Sequence, residues 1–294
     1  MEFKELMRPS VKDDWGIKKL QNCLLNIMKY IHDFCEENNI EYCIMGGTAL
    51  GAIRHGGFIP WDDDIDIFMT PDNYEKFRYL FNKKGDKNNF YLQELGKSGQ
   101  LVHSAKFRLN NSEFIQDSLA NLDIHHGIFV DIMILLNTPN NIIGRKWQWF
   151  WEIYVRGKFI SNMHYKSDSK IKAIIYSLMR LTPKRFLIDF ALKQIYKYQK
   201  VDCENFFHPY IGKPMYKSIY PKSIFENLLL IDFESIKLLI PQGIDEYLKI
   251  LFGDYMKLPD FESIKSSQHV DKWSCEHSFQ PRKSGTFEDE KYYW

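Results

Sequence analysis

Residues 62–70, DDDIDIFMT, alternate acidic and large apolar side chains. An alternation of two is the period of a β-strand, in which residues i and i+2 share a face. Over an expected strand at 64–70, Asp64 and Asp66 therefore stand side by side. Two adjacent carboxylates repel unless a cation lies between them. An oxygen-only ligand set favours Mg²⁺ or Mn²⁺. Asp62 joins that face if the strand starts early, and Asp63 then points away. A second apolar run, GIFVDIMIL at 127–135, is broken by one acid, Asp131. A lone carboxylate among Ile, Phe, Val and Met is costly unless paired or bound to a cation. Set beside the first strand, Asp131 completes a three-carboxylate metal site with Asp64 and Asp66.

The residues just before these acids supply a second half. EYCIM at 41–45 reads as a short strand, Gly46-Gly47 as a turn, and Thr48 as the cap of a helix TALGAIRH. A glycine turn lets backbone approach a phosphate closely, and a helix N-terminus favours anions. Gly56-Gly57 ends that helix. Arg54 and His55 close it; they read either as partners of the helix dipole or as further phosphate contacts. Lys106 and Arg108 share one face of a strand expected over 102–109, as surface cations or as phosphate ligands. Alone, an acidic run after a Pro-Trp turn is a solvated loop. Gly46, Gly47 and Thr48, followed by Asp-x-Asp and by Asp131 on a later strand, describe instead a site for a divalent cation and a diphosphate. EF-hand spacing is absent, His103, His125 and His126 have no zinc spacing, and Cys275 with His277 is a lone C-x-H.

The 294 residues, 45% hydrophobic and 26% charged, are ordinary globular material with enough apolar content for a core. Residues 13–38 carry apolar side chains at spacings of three and four, the pattern of an amphipathic helix. Further strands are expected near 90–95. An α/β (α+β) core spans 1–138, a basic helical insertion 139–215, and a C-terminal segment of short helices and turns 216–294, packed on the core. Five scattered cysteines without a CxxC fit a reduced cytosolic interior. No apolar window is long enough to span a bilayer, and the first ten residues contain no secretory signal.

The stretch YCIMGGTALGAIRHGGFIPWDDDIDIFM strongly resembles the LicD family, which includes bacterial phosphocholine transferases and is related to fukutin and fukutin-related protein. KFRLNNSEFI resembles the family's basic strand, HHGIFVDIMIL its third-acid strand, and IPQGIDEYLKILFGDYMKLPD its closing motif. The resemblance implies a nucleotidyltransferase-like mixed sheet. It implies transfer of a phosphorylated alcohol from a CDP-linked donor to a hydroxyl of a glycan or lipid-linked glycan. It also implies Gly46 and Gly47 as the phosphate turn, Asp64 and Asp66 as metal ligands and Asp131 as the third acid. Two rivals are a nucleotidyltransferase releasing pyrophosphate and a non-catalytic metal- or glycan-binding module.

The net charge of +1 hides an asymmetry. Residues 141–200 hold 13 Lys/Arg against 3 Asp/Glu, a local +10, which leaves −9 elsewhere. Such a segment fits an acceptor carried on a membrane, with cytoplasmic protein contacting the inner face peripherally. Trp147, Trp149 and Trp151 either sit at that interface or pack in a helical core; the packed reading is the more ordinary. No nucleic-acid recognition motif accompanies the charge, so no nucleic-acid partner is expected.

Overall fold

The computed structural model of the protein describes residues 15–94, 104–116, 124–162, 170–181, 184–209, 213–260, 264 and 270–276. Helix α1 (Lys18–Glu37) follows directly from its periodicity: Leu20, Leu24, Ile27, Met28, Ile31 and Phe34 form one stripe, and all are buried. The stripe covers one face of a five-stranded sheet. After α1 the chain forms β1 (Cys43–Ile44), α2 (Gly46–His55), β2 (Asp66–Met69) and α3 (Pro71–Lys84). Then come β3 (Phe90–Gln93), β4 (Ser104–Leu109), β5 (Glu113–Ile115), β6 (Phe129–Ile134) and β7 (Leu136–Thr138).

The main sheet has the order β1-β2-β6-β4-β3. Strands β2 and β6 are parallel, and the other neighbours are antiparallel. This is the mixed sheet of an α+β fold. Phe107 of β4 anchors the core under α1 and α3, with ring centroids 5.7 Å from Tyr30, 4.9 Å from Phe81 and 5.2 Å from Phe90. Each such ring, once buried, contributes about 1.5–3 kcal/mol. Thr70 caps α3 by accepting the Asn73 N–H, and Pro71 opens the helix where no N–H is required.

Three helices follow: α4 (Ile142–Asn162), α5 (Lys170–Leu181) and α6 (Lys184–Ile195). Beyond residue 201 the short helices and turns expected from sequence are interleaved with strands. These are β8 (Asn205–Phe207), β9 (Ile219–Pro221), the hairpin of β10 (Leu228–Phe233) and β11 (Ile236–Pro241), and β12 (Lys272–Ser274). Helix α7 (Ile244–Phe252) packs against α2. β7, β8 and β9 form a small sheet, and β12 pairs with β5. These strands are too short, and too mixed in polarity, to show a period of two.

The expectation of five reduced cysteines is corrected. Cys23 on α1 and Cys275 after β12 form a disulfide across 252 residues, while Cys35, Cys43 and Cys203 are free and buried. Pairing of β12 with β5 lays this end of the described chain along α1, where Lys19 also meets Glu276 at 2.5 Å. Contacts that distant leave no spacing signal. His277 and residues 277–294 lie outside the described residues, as do residues 13 and 14 of the expected first helix, residues 95, 102 and 103 of the expected strands, and with them His103.

Candidate active site

Strand β2 begins at Asp66, two residues later than the alternation suggests, so Asp64 sits on the irregular approach to it. The approach is nonetheless paired: the Asp131 N–H donates to the Ile65 carbonyl at 2.9 Å. Asp66 and Asp131 are direct neighbours across the parallel β2–β6 pair. Lys106 is the neighbour of Asp131 across β6–β4, and Gln93 of Lys106 across β4–β3. One row across four strands therefore reads Asp66, Asp131, Lys106, Gln93. The Asp131 strand was expected beside the Asp66 strand, and it is.

The row is electrostatically graded. Lys106 donates to both oxygens of Asp131, at 2.7 and 2.8 Å, and its ammonium lies 3.4 Å from the centroid of the Phe129 ring. Burial holds the Lys106 ammonium below its ordinary pKa, against the opposing pull of Asp131. Asp66 has the opposite surroundings. Its carboxyl is pushed well above the usual range, first by burial and then by the charges of Asp64, Asp131 and Asp62; Lys106 only partly opposes this. A carboxyl so placed lacks a full countercharge. Nearby, Asp62, Asp63 and Asp64 each offer a carboxylate oxygen, the three within 4.8 Å of one another. Hard oxygen donors at this density suit Mg²⁺ or Mn²⁺.

Helix α2 reaches this cluster with its N-terminus. The helix includes Gly46 and Gly47, so they are its first turn and not a separate one. Thr48 is not the cap. Its Oγ1 instead accepts the Asp66 N–H at 2.9 Å and ties the helix to the start of β2. Gly47 lies close under the acidic loop: a Cβ there would meet Asp62 Oδ2 at 2.8 Å, and the Asp62 side chain would have to move aside. Gly56 ends the helix at φ 72°, a left-handed conformation that favours glycine. The Gly46 N–H donates to the Tyr247 hydroxyl at 2.9 Å.

The remaining expected contacts point into the protein. Arg54 is buried and donates to the Tyr255 carbonyl at 2.8 Å, with the charge of Asp62 near it. His55 is buried edge-on to Trp61. Arg108 donates to Gln93 and to the Gly127 carbonyl, both at 2.7 Å, and burial lowers its pKa to about 10. Asp63 is fully buried and accepts the Val270 N–H at 2.8 Å. His125 stacks on Tyr91 with centroids 4.9 Å apart.

Sequence reading passed over Tyr247 and Tyr255. Both belong to the closing motif quoted above, and both contact α2. That motif is read as a partner of the glycine helix only once the two are seen in contact.

Comparison with known proteins points to one family. The family described as LicD/FKTN/FKRP, nucleotidyltransferase domain, matches residues 39–147, from just before β1 into α4. The chain is 30% identical over 269 residues to the lipopolysaccharide cholinephosphotransferase LicD of Haemophilus influenzae, covering 85% of this chain and 94% of that protein. It is 34% identical over 56 residues to human ribitol 5-phosphate transferase FKRP, covering 19% of this chain and 11% of that protein. An uncharacterized protein of Rickettsia typhi is 54% identical over 57 residues, covering 19% of this chain and 18% of that protein.

Proposed function

The chain belongs to the LicD family, and from that premise we propose that it is a metal-dependent phosphotransferase. It moves a phosphorylated alcohol from a CDP-linked donor to a hydroxyl of a cell-surface glycan. The observation that carries this reading is the Asp66–Asp131–Lys106 row beside the N-terminus of α2. Similarity to a cholinephosphotransferase over most of the chain makes phosphocholine the first donor group to test. Phosphoribitol is the second.

In this reading Asp64 and Asp66 would hold the cation, with Asp62 alongside. When bound, Mg²⁺ or Mn²⁺ supplies positive charge to the donor diphosphate and to the departing CMP. The chain's own residues do the rest. Lys106 adds a second cation within the row. Asp131, held at both oxygens by Lys106, orients the acceptor hydroxyl and takes its proton. The hydroxyl oxygen attacks the distal phosphorus in line, and the bond from that phosphorus to the CMP oxygen breaks. Gly46, Gly47 and Thr48 bring the N-terminal field of α2 to the phosphates. Arg54, His55 and Arg108 hold these elements in position from below.

The test is product analysis. CDP-choline, CDP-ethanolamine, CDP-glycerol and CDP-ribitol are each incubated with the protein and Mg²⁺, and again with EDTA. Release of CMP that EDTA abolishes is expected for one of them. Release of pyrophosphate from a nucleoside triphosphate would assign a nucleotidyltransferase instead. No turnover with either class of donor would mark a non-catalytic module.

A further inference from the structure

Helix α4 leaves large apolar side chains outside. Its inward face buries Gln148 and Glu152 beside Val155 and Phe159, and Lys158 and Ser161 are buried as well, the four polar groups each at most 1% exposed. Its outward side exposes Ile143 at 79%, Phe150 at 54%, Trp147 at 44% and Ile153 at 43%. In a helix facing only water the polar residues would take the outer face. The inward groups have found partners: Gln148 donates to the Asn137 and Ile195 carbonyls, and Lys158 donates to the Met179 carbonyl. The outward residues form a continuous surface. Trp147 and Phe150 stack 6.2 Å apart, and both lean on Trp151, which also meets Phe190 of α6. Helix α5, packed on α4, exposes Ile174 and Leu178 at 62% and 60%.

An exposed apolar surface of this extent marks an interaction site, and the charge around it selects the partner. Residues 141–200 carry a net +10 in sequence, of which Lys158 is buried, and Lys146 lines a shallow groove of about 550 Å³ on this surface with Ile143, Trp147 and Phe150. Lys193, Lys197 and Lys200 on and after α6 are exposed as well. Apolar and aromatic side chains edged by lysine suit the boundary between lipid headgroups and acyl chains. No described helix is long and apolar enough to cross a membrane.

We propose that the outward face of α4, centred on Ile143, Trp147 and Phe150, docks this protein onto the surface of an anionic lipid bilayer. The apolar residues enter the headgroup boundary and the lysines meet the lipid phosphates. Trp149 and Trp151 are partly buried against the core; of the three tryptophans expected either to pack or to face an interface, Trp147 takes the second role. This inference does not depend on the transferase reading, because lipid binding is read without substrate.

The experiment is co-sedimentation of the full chain with vesicles of pure phosphatidylglycerol or pure phosphatidylcholine. Binding to phosphatidylglycerol, weakened by salt, is expected, with little binding to phosphatidylcholine. The double variant Ile143→Asp, Phe150→Asp should weaken it at least about tenfold. A control pair on β10, Leu229→Asp with Leu230→Asp, replaces residues that are 50% and 56% exposed and should bind as the parent does. All three proteins should melt alike, since every replaced side chain is exposed. Absence of binding, equal binding to both lipids, or equal loss in the control pair overturns the proposal. So does a concentration-dependent dimer, abolished by the α4 variant, in a protein that ignores vesicles.

Discussion

Asp66 and Asp131 face each other across two parallel strands, yet only Asp131 has a cation bonded to it. Its neighbour on the far side, Lys106, gives it two hydrogen bonds of 2.7 and 2.8 Å. Asp66 is left among Asp62, Asp64 and Asp131, with its carboxyl pushed up by burial and by their charges. The row is therefore polarised: a satisfied ion pair at one end and excess negative charge at the other. In the proposed function the divalent cation is assigned to the second end.

Asp66→Asn should keep the fold, because the amide has nearly the same shape and removes one of the repelling charges. The melting temperature is expected to hold or rise. Turnover with Mg²⁺ should fall by about 10²–10³, the usual effect of losing roughly 3–4 kcal/mol of charge stabilisation in the transition state. Near-normal turnover in the folded variant would move the metal face elsewhere.

Lys106→Met tests the other end. Asp131 is largely buried, so removing its partner leaves a desolvated charge beside Asp66. A loss of about 3–5 kcal/mol in urea unfolding is expected. Adding Asp131→Asn to that variant should restore much of it. If the double variant is no more stable than the single one, the pair is not what holds β4 and β6 in register.

Glu152 gives a pH signature remote from the site. Burial raises its carboxyl to about 7, with Arg156, 3.4 Å away, opposing the shift. The folded state then keeps the proton where the unfolded chain, near 4.5, has lost it. The stability this group contributes is fully present below about 4.5, falls as pH rises towards 7, and is gone above that. Glu152→Gln should leave stability at pH 4 unchanged and raise it at pH 8 by about 3 kcal/mol. An equal gain at both pH values would point to packing and not to ionisation.

The Cys23–Cys275 disulfide closes nearly the whole chain into one loop. Constraining so long a loop in the unfolded state is worth about 2–5 kcal/mol. Dithiothreitol should lower the melting temperature, and Cys275→Ser should lower it by the same amount and remove the response to reductant. Because β12 follows Val270, whose N–H holds Asp63, reduction should also loosen the acidic loop. Faster amide exchange at Val270 would report this. A melting temperature indifferent to reductant would show the two thiols unpaired in solution.

Periodicity alone determined that α1 has one apolar stripe and that Asp66 and Asp131 belong to a sheet; it placed Asp64 there too, and Asp64 lies just before β2. Local chemistry determined that Gly56 ends a helix. These are short-range matters, settled by Cβ direction and by φ. Four further matters needed the tertiary structure. Which residue neutralises Asp131 depends on β4 pairing with β6, a register that no spacing encodes. Thr48 looked like a cap because its position suits one, but the neighbouring Asp66 N–H claimed its hydroxyl. Cys23 found Cys275 only because β12 pairs with β5. Finally, α4 carries aromatic residues all round, so hydrophobicity could not say which face turns inward. The face that turned inward carries Val155 and Phe159 with Gln148 and Glu152, and it left Ile143, Trp147 and Phe150 outside.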